Sequence, residues 1–285
     1  MTLRQALRES AKVLSISGIQ DSCIEARLLI GRAMNLSLVE IYTEPDQTIS
    51  VEEKNKLNEL LAHRLKREPS AYILNRKEFY GIDFYVDPRV LIPRPETELL
   101  VNAALECAHN RSLSPQRQLL VADIGTGCGA IAISFALSWS ASEIYATDLS
   151  SSALEVAALN CRRHQVTGQI HLLAGDLLQP LPEPVDIIIA NLPYIRKSDI
   201  PGLIPEIARF EPHTALDGGE SGLDCIESIL QQVDGKINAG GCVLLEIGQH
   251  QEKEVGRLIR RYLKGATFSF TRDHNGTNRV VKIAL

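Results

Sequence analysis

Apolar residues recur at Leu3, Leu7, Ala11 and Leu14, the spacing of one helical face, so the chain opens on a helix. A second helix is announced by Ser22 with Glu25 three residues on, a pair in which each side chain can satisfy an orphan amide at the helix start. Ser50 and Glu53 repeat the signal, and Leu57, Leu60, Leu61 and Leu65 then form one stripe before Pro69 marks an end or a connection. No strand signal intrudes before Phe79. Residues 1–75 therefore read as a small all-helical domain, a partner-binding or lid module, since nothing in it groups titratable residues. Over Glu78 to Pro93, Phe79, Phe84 and Val86 are broken by Gly81 and by Asp87-Pro88, which predicts a β-hairpin joining two domains across residues 76–93. Pro95 suits a first helical turn, Glu96 and Glu98 suit its electropositive end, and the helix runs through Leu99, Val101, Ala104 and Leu105 to about His109.

After a polar, serine-rich loop (Arg111 to Gln118) the pattern alternates between strand and helix. Strands are expected at Leu119 to Ile124, Glu143 to Thr147, Ile170 to Ala174, Val185 to Ala190 and Cys242 to Ile247. Helices are expected at Ala130 to Leu137, Ser152 to His164, Asp224 to Val233 and Gln251 to Leu263. Repeated βα units require a parallel sheet with helices on both faces. Thr267 to Thr271 and Arg279 to Ile283 are instead joined by Asp273-His274-Asn275-Gly276, too turn-rich for a helix, so the last pair is antiparallel. The fold class is thus α/β: residues 94–285 form a doubly wound, mostly parallel seven-stranded sheet with a terminal antiparallel hairpin, beside the helical domain.

Composition narrows the partners. Thirty-five acidic against thirty basic side chains give a net charge of −5 over 285 residues, and Arg162-Arg163-His164 and Arg260-Arg261 are too short to make a nucleic-acid footprint, so no direct nucleic-acid binding is expected. The six cysteines are scattered without a C-x-x-C pair, which indicates neither a metal site nor a disulfide framework and fits a reducing, cytoplasmic setting. No apolar run approaches the roughly 18 residues of a membrane span.

Chemistry concentrates at strand ends. The first strand of the sheet runs into Asp123-Ile124-Gly125-Thr126-Gly127-Cys128-Gly129-Ala130 and straight into a helix. Glycines at this spacing let the backbone approach a ligand without a Cβ in the way, and a helix N-terminus offers free amides. Eighteen residues past Ala130, the second strand ends in Asp148, placed to accept hydrogen bonds from ribose hydroxyls. The third ends in Gly175-Asp176-Leu177, where Asp176 could reach an adenine amino group and Leu177 could pack on the ring. Gly125, Gly127 and Ala130 also satisfy the dinucleotide fingerprint G-x-G-x-x-A, so a nicotinamide dehydrogenase stays open at this point.

The fourth strand, buried by its apolar run Ile187-Ile188-Ile189-Ala190, stops at Asn191-Leu192-Pro193-Tyr194. This turn holds no acid, base or nucleophile, and no candidate is legible near it. The Asn191 side-chain carbonyl and the backbone carbonyl of Leu192, held by Pro193, could together accept both hydrogens of an amino group, with Tyr194 as a packing face. Two such bonds contribute only about 1 kcal/mol each net. An enzyme must lower its barrier by roughly 8 kcal/mol or more, and orientation can supply about 7 to 11. The arrangement suits attack of a planar, weakly basic nitrogen on an electrophilic methyl group.

Taken together, these residues resemble the seven-strand methyltransferases that use S-adenosylmethionine. More closely, the chain is similar to the release factor glutamine methyltransferases, through the helical N-terminal region, Val90-Leu91-Ile92-Pro93-Arg94-Pro95-Glu96-Thr97-Glu98, the glycine loop, Asn191 to Tyr194, Phe210-Glu211-Pro212, Ala215-Leu216-Asp217-Gly218-Gly219 and Arg279-Val280-Val281. The resemblance implies methylation of the side-chain amide of the glutamine in the Gly-Gly-Gln motif of peptide chain release factors. It implies that Gly125, Thr126, Gly127, Cys128 and Gly129 contact the methionine part of the cofactor, Asp148 its ribose, and Asp176 and Leu177 its adenine. Asn191, Leu192, Pro193 and Tyr194 would receive the target amide, and the N-terminal domain would dock the release factor. Leu177 stands where the family carries an aromatic, and Leu192 where it carries its first proline. An N-methyltransferase acting on DNA or RNA bases shares the turn chemistry and is the alternative, with a non-catalytic cofactor-binding module behind it.

Overall fold

Helix α1 (Leu3–Ile16) starts at Thr2, whose hydroxyl accepts from the Gln5 amide while the Gln5 side chain accepts from the Thr2 amide. In this computed structural model, which describes residues 1–110 and 117–285, the remaining helices of the first unit are α2 (Ser22–Met34), α3 (Leu38–Thr43), α4 (Val51–Leu65) and α5 (Ser70–Leu74). Reciprocal caps also form at Ser37 with Glu40 and at Ser50 with Glu53. The expected box at Ser22 does not form: Asp21, with φ +50°, precedes the helix without a side-chain cap, and Glu25 instead accepts from Arg64 at 3.0 Å and from Ser70 at 3.2 Å. The α4 stripe changes for the same reason. Leu57 is buried, Leu65 is exposed, and Arg64 takes the inward position, donating to Glu25 and to Glu206 at 3.0 Å. Leu3, Ala6, Leu14, Ala26, Leu29, Ile30 and Leu57 build the core of this unit, which comprises Met1–Arg76 together with Ile204–Phe210.

The second unit comprises Lys77–Leu203 and Glu211–Leu285. Strands β1 (Lys77–Phe79) and β2 (Ile82–Phe84) pair antiparallel across Tyr80-Gly81, both at positive φ, so the hairpin is shorter than the stretch to Pro93 suggested. A 3-10 turn at Pro95–Thr97 leads into α6 (Glu98–Asn110). Residues 111–116 of the serine-rich loop lie outside the described residues. Next come β3 (Leu119–Ile124), α7 (Ala130–Ser138), β4 (Ser142–Asp148), α8 (Ser151–Arg163), β5 (Ile170–Ala174) and β6 (Val185–Ala190). Helix α9 (Pro205–Phe210) falls in the first unit, and α10 (Asp224–Gln232), β7 (Ile237–Glu246), α11 (Glu252–Tyr262), β8 (Thr267–Arg272) and β9 (Asn278–Ala284) complete the second.

Seven strands make one sheet in the order β5-β4-β3-β6-β7-β9-β8, with β5, β4, β3, β6 and β7 parallel and β9 antiparallel to both neighbours. This is the mostly parallel sheet with a closing hairpin that the alternation predicts. Every residue of β6 is buried, as its unbroken apolar run requires of a central parallel strand. Strand β7 begins five residues earlier than the apolar run, because its register against β6 jumps between Val185 and Ile187 where Gly240 and Gly241 interrupt the pattern. A Cβ at Gly241 would stand 2.9 Å from the Asp186 carbonyl, so the bulge needs glycine there. Among the described residues, no helix is long and apolar enough to cross a membrane.

Candidate functional site

Strand order reverses direction at β3, which has β4 on one side and β6 on the other, and a crevice at the carboxyl ends of the strands follows from that reversal. The loop leaving β3 occupies it. Gly125, Gly127 and Gly129 have φ of +71°, +56° and +83°, which side chains rarely adopt, and a Cβ at Gly127 would meet nothing within 4 Å, so the backbone there stands open. The amides of Gly125 and Thr126 both donate to the Thr147 carbonyl at 2.9 Å, fixing the loop to β4. Thr126 turns inward, its hydroxyl donating to Asp123 Oδ2 at 2.6 Å, and Ala132 donates to the same oxygen. Burial pushes the Asp123 carboxyl up to about 6, and its other oxygen, Oδ1, has no partner among the described residues. Cys128 contributes backbone: its carbonyl accepts from Asn160 of α8 at 2.8 Å, and burial pushes its thiol up to about 12, far from a nucleophile.

Asp148 ends β4 beside this loop. Its Oδ2 accepts from the Gly127 amide and its Oδ1 from Ser150, each at 2.9 Å, which leaves further lone pairs on both oxygens. Burial raises its carboxyl, against the pull of those amides. Asp176 and Leu177 follow β5. The Leu177 carbonyl accepts from Thr147 at 3.0 Å and its φ is +48°, while Asp176 is exposed and accepts from Gln179 at 3.0 Å and Gln232 at 3.3 Å. The glycine loop, Asp148 and Asp176-Leu177 thus stand at the ends of three adjacent strands.

Asn191 to Tyr194 stand at the end of the fourth, β6. Leu192 is buried and lies against the loop: a Cβ at Gly125 would be 3.3 Å from Leu192 Cδ2 and 3.8 Å from the Asn191 carbonyl. Leu192 therefore fills the space that the glycine leaves. The Leu-Asp-Gly-Gly segment braces the turn from its far side. Ile195 donates to the Leu216 carbonyl at 3.1 Å and accepts from the Gly218 amide at 2.8 Å. A Cβ at Gly218 would come within 2.8 Å of the Pro193 carbonyl oxygen and Tyr194 Cα, so only glycine admits this approach. Gln251 holds the Tyr194 carbonyl at 3.0 Å.

Three further side chains meet here. Asn191 Nδ2 donates to Thr97 Oγ1 at 3.0 Å, Thr97 donates to Glu246 Oε2 at 2.7 Å, and the Tyr194 hydroxyl donates to Glu246 Oε1 at 3.1 Å. Burial raises the Glu246 carboxyl while both hydroxyls pull it back, and burial beside Glu246 raises Tyr194. Arg94 pairs with Glu211 at 2.6 Å. The turn itself holds no acid, as its sequence says, but Glu246 at the end of β7 brings one to its edge. The signal that could have found it is the one that found Asp148, a carboxylate closing an apolar parallel strand. Thr97 carries no such mark, lying 149 positions from Glu246.

Residues 5–74 match the PrmC N-terminal domain family, and residues 102–213 match the ribosomal protein L11 methyltransferase (PrmA) family. The release factor glutamine methyltransferase of Moorella thermoacetica is 38% identical over 261 residues, covering 91% of this chain and 90% of that one. That of Geobacter sulfurreducens is 36% identical over 282 residues, covering 98% and 95%. Among solved structures, the hMettl16 catalytic domain in complex with MAT2A 3′UTR hairpin 1 superposes with a TM-score of 0.57 at 13% identity, over 79% of this chain and 80% of that one, a likeness of fold alone. On relatives this similar along nearly its whole length, the chain belongs to the release factor glutamine methyltransferase family.

Proposed function

We propose that this protein transfers a methyl group from S-adenosylmethionine to the side-chain amide nitrogen of the glutamine in the Gly-Gly-Gln motif of peptide chain release factors, in the cytoplasm. The observation that carries the reading is the Asn191 amide, hydrogen-bonded through Nδ2 to Thr97 and hence free to accept through Oδ1, in a turn that touches the glycine loop. The donor set suits the cofactor: an open backbone at Gly127 and a carboxylate at Asp148 with lone pairs to spare. Gly125, Thr126, Gly127, Cys128 and Gly129 hold its methionine part through the backbone, Asp148 its ribose, and Asp176 and Leu177 its adenine. When bound, it supplies an electrophilic methyl group.

The chain's own part is positioning. Asn191 Oδ1 and the Leu192 carbonyl each accept one hydrogen of the glutamine amide, which fixes the plane of a poor nucleophile. Tyr194 and Pro193 wall the site. Removing rotational freedom in this way is worth far more than the two hydrogen bonds themselves. Residues 1–75 serve as the docking domain for the release factor, residues 76–93 as the link, and residues 94–285 as the methyltransferase domain.

Incubation with methyl-labelled S-adenosylmethionine and unmodified release factor tests this. Label is expected on the glutamine of Gly-Gly-Gln, with none on a release factor carrying alanine there. Label on DNA or RNA with none on the release factor overturns the reading in favour of base methylation.

A further inference from the structure

An asparagine side chain can present either its oxygen or its NH2 group, two orientations of nearly identical shape and opposite chemistry. At Asn191 the choice is fixed by its neighbours. Thr97 has a single hydroxyl proton, and that proton is committed to Glu246 Oε2 at 2.7 Å, so towards Asn191 the Thr97 oxygen can only accept. Nδ2 lies against it at 3.0 Å, and Oδ1 must face the other way. The second Glu246 oxygen is engaged by the Tyr194 hydroxyl at 3.1 Å. Thr97 is 4% and Glu246 2% exposed, so water does not compete for these partners. The three elements concerned are separate: the turn before α6, the end of β7 and the turn after β6.

We propose that Thr97 and Glu246 are positioning residues that hold the Asn191 amide with its oxygen towards the substrate, and so make the site select a hydrogen-bond donor, the glutamine NH2, over the isosteric acceptor, a glutamate carboxylate. The proposal rests on the methyl transfer to glutamine put forward above. Without the Thr97 hydroxyl the Asn191 amide is free to turn, and its NH2 then meets the substrate NH2 donor to donor. The same turned amide would suit a carboxylate. A site that reads a polar group by a fixed acceptor rejects the wrong partner strongly because its own group is otherwise left unpaired.

The test uses the full chain and intact release factor in two forms, Gly-Gly-Gln as substrate and Gly-Gly-Glu as inhibitor. Thr97→Val keeps the shape and removes the hydroxyl. It is expected to lower kcat by about tenfold or more, to leave cofactor affinity unchanged, and to strengthen inhibition by the Gly-Gly-Glu form relative to KM for the Gly-Gly-Gln form. Thr97→Ser returns both kcat and the discrimination towards wild type. Glu246→Met, which is close in size and removes both carboxylate acceptors, frees the Thr97 proton to point at Asn191, shifts discrimination the same way and serves if Thr97→Val does not fold. Unchanged discrimination in both variants overturns the proposal, whether or not kcat falls, because a purely structural role would lower activity without changing which partner is preferred. A wild type that leaves the release factor unmethylated overturns the methyl-transfer reading itself, and this proposal with it.

Discussion

Asp123, next to last in β3, is fully buried, with one carboxylate oxygen held by Thr126 and Ala132 and the other without a partner among the described residues. Burial, reinforced by the nearby Asp148 charge, outweighs those two hydrogen bonds and moves the carboxyl from its ordinary 3.8 up to about 6. The sign of the effect on stability follows. Below 3.8 the group is protonated in both folded and unfolded chains and costs nothing. As pH rises towards 6 the unfolded chain ionises first, and stability falls, after which the loss is constant. The interval corresponds to about 3 kcal/mol. In the cofactor-free enzyme, Asp123→Asn should therefore gain stability relative to wild type between pH 4 and pH 6, read as the difference in urea midpoint across that range. A difference that stays flat with pH would contradict the assignment. At the same scale Leu192 makes sense without proline: its side chain packs on Gly125, so loop and turn are joined by contact.

Helix starts show how far a four-residue window carries. Ser22-Glu25 and Ser50-Glu53 are the same signal, yet only the second becomes a cap: Ser22 is already the first residue of α2, behind Asp21, and Glu25 pairs with Arg64 at 3.0 Å. Arg64 lies 39 positions from Glu25, outside any local pattern, and its burial between Glu25 and Glu206 also explains why the α4 stripe ends at a charged residue and not at Leu65. Burial raises Glu206, but hydrogen bonds from Arg67 and Arg64 outweigh it and hold its carboxyl below the ordinary value. The two serines can be separated by measurement. Ser50→Ala should cost about 1 kcal/mol of stability, and Ser22→Ala almost nothing. Equal losses in chemical denaturation would show that both caps form in solution.

For the molecule as a whole, what sequence reveals depends on the period of the signal. Strands β3, β5 and β6 coincide with apolar runs bounded by Gly, Asp or Asn, and the site residues it singles out, Gly125 to Gly129, Asp148, Asp176-Leu177 and Asn191 to Tyr194, stand at the carboxyl ends of four adjacent parallel strands. That placement was legible because a strand's end and a sheet's ligand edge are the same place. What supports the turn stands in the sequence only as motifs of the family resemblance, with no chemistry attached. Thr97 and Gly218 reach it from distant parts of the chain, and their roles depend on a hydroxyl's partner and on a missing Cβ, neither of which leaves a periodic trace. The proposed catalysis is positioning of the glutamine amide by Asn191. It is tested most directly by Asn191→Ala in single-turnover methylation of release factor, with cofactor affinity measured on the same preparation. The expected rate is lower by about a hundredfold or more with cofactor affinity close to wild type; a rate near wild type overturns the role given to Asn191.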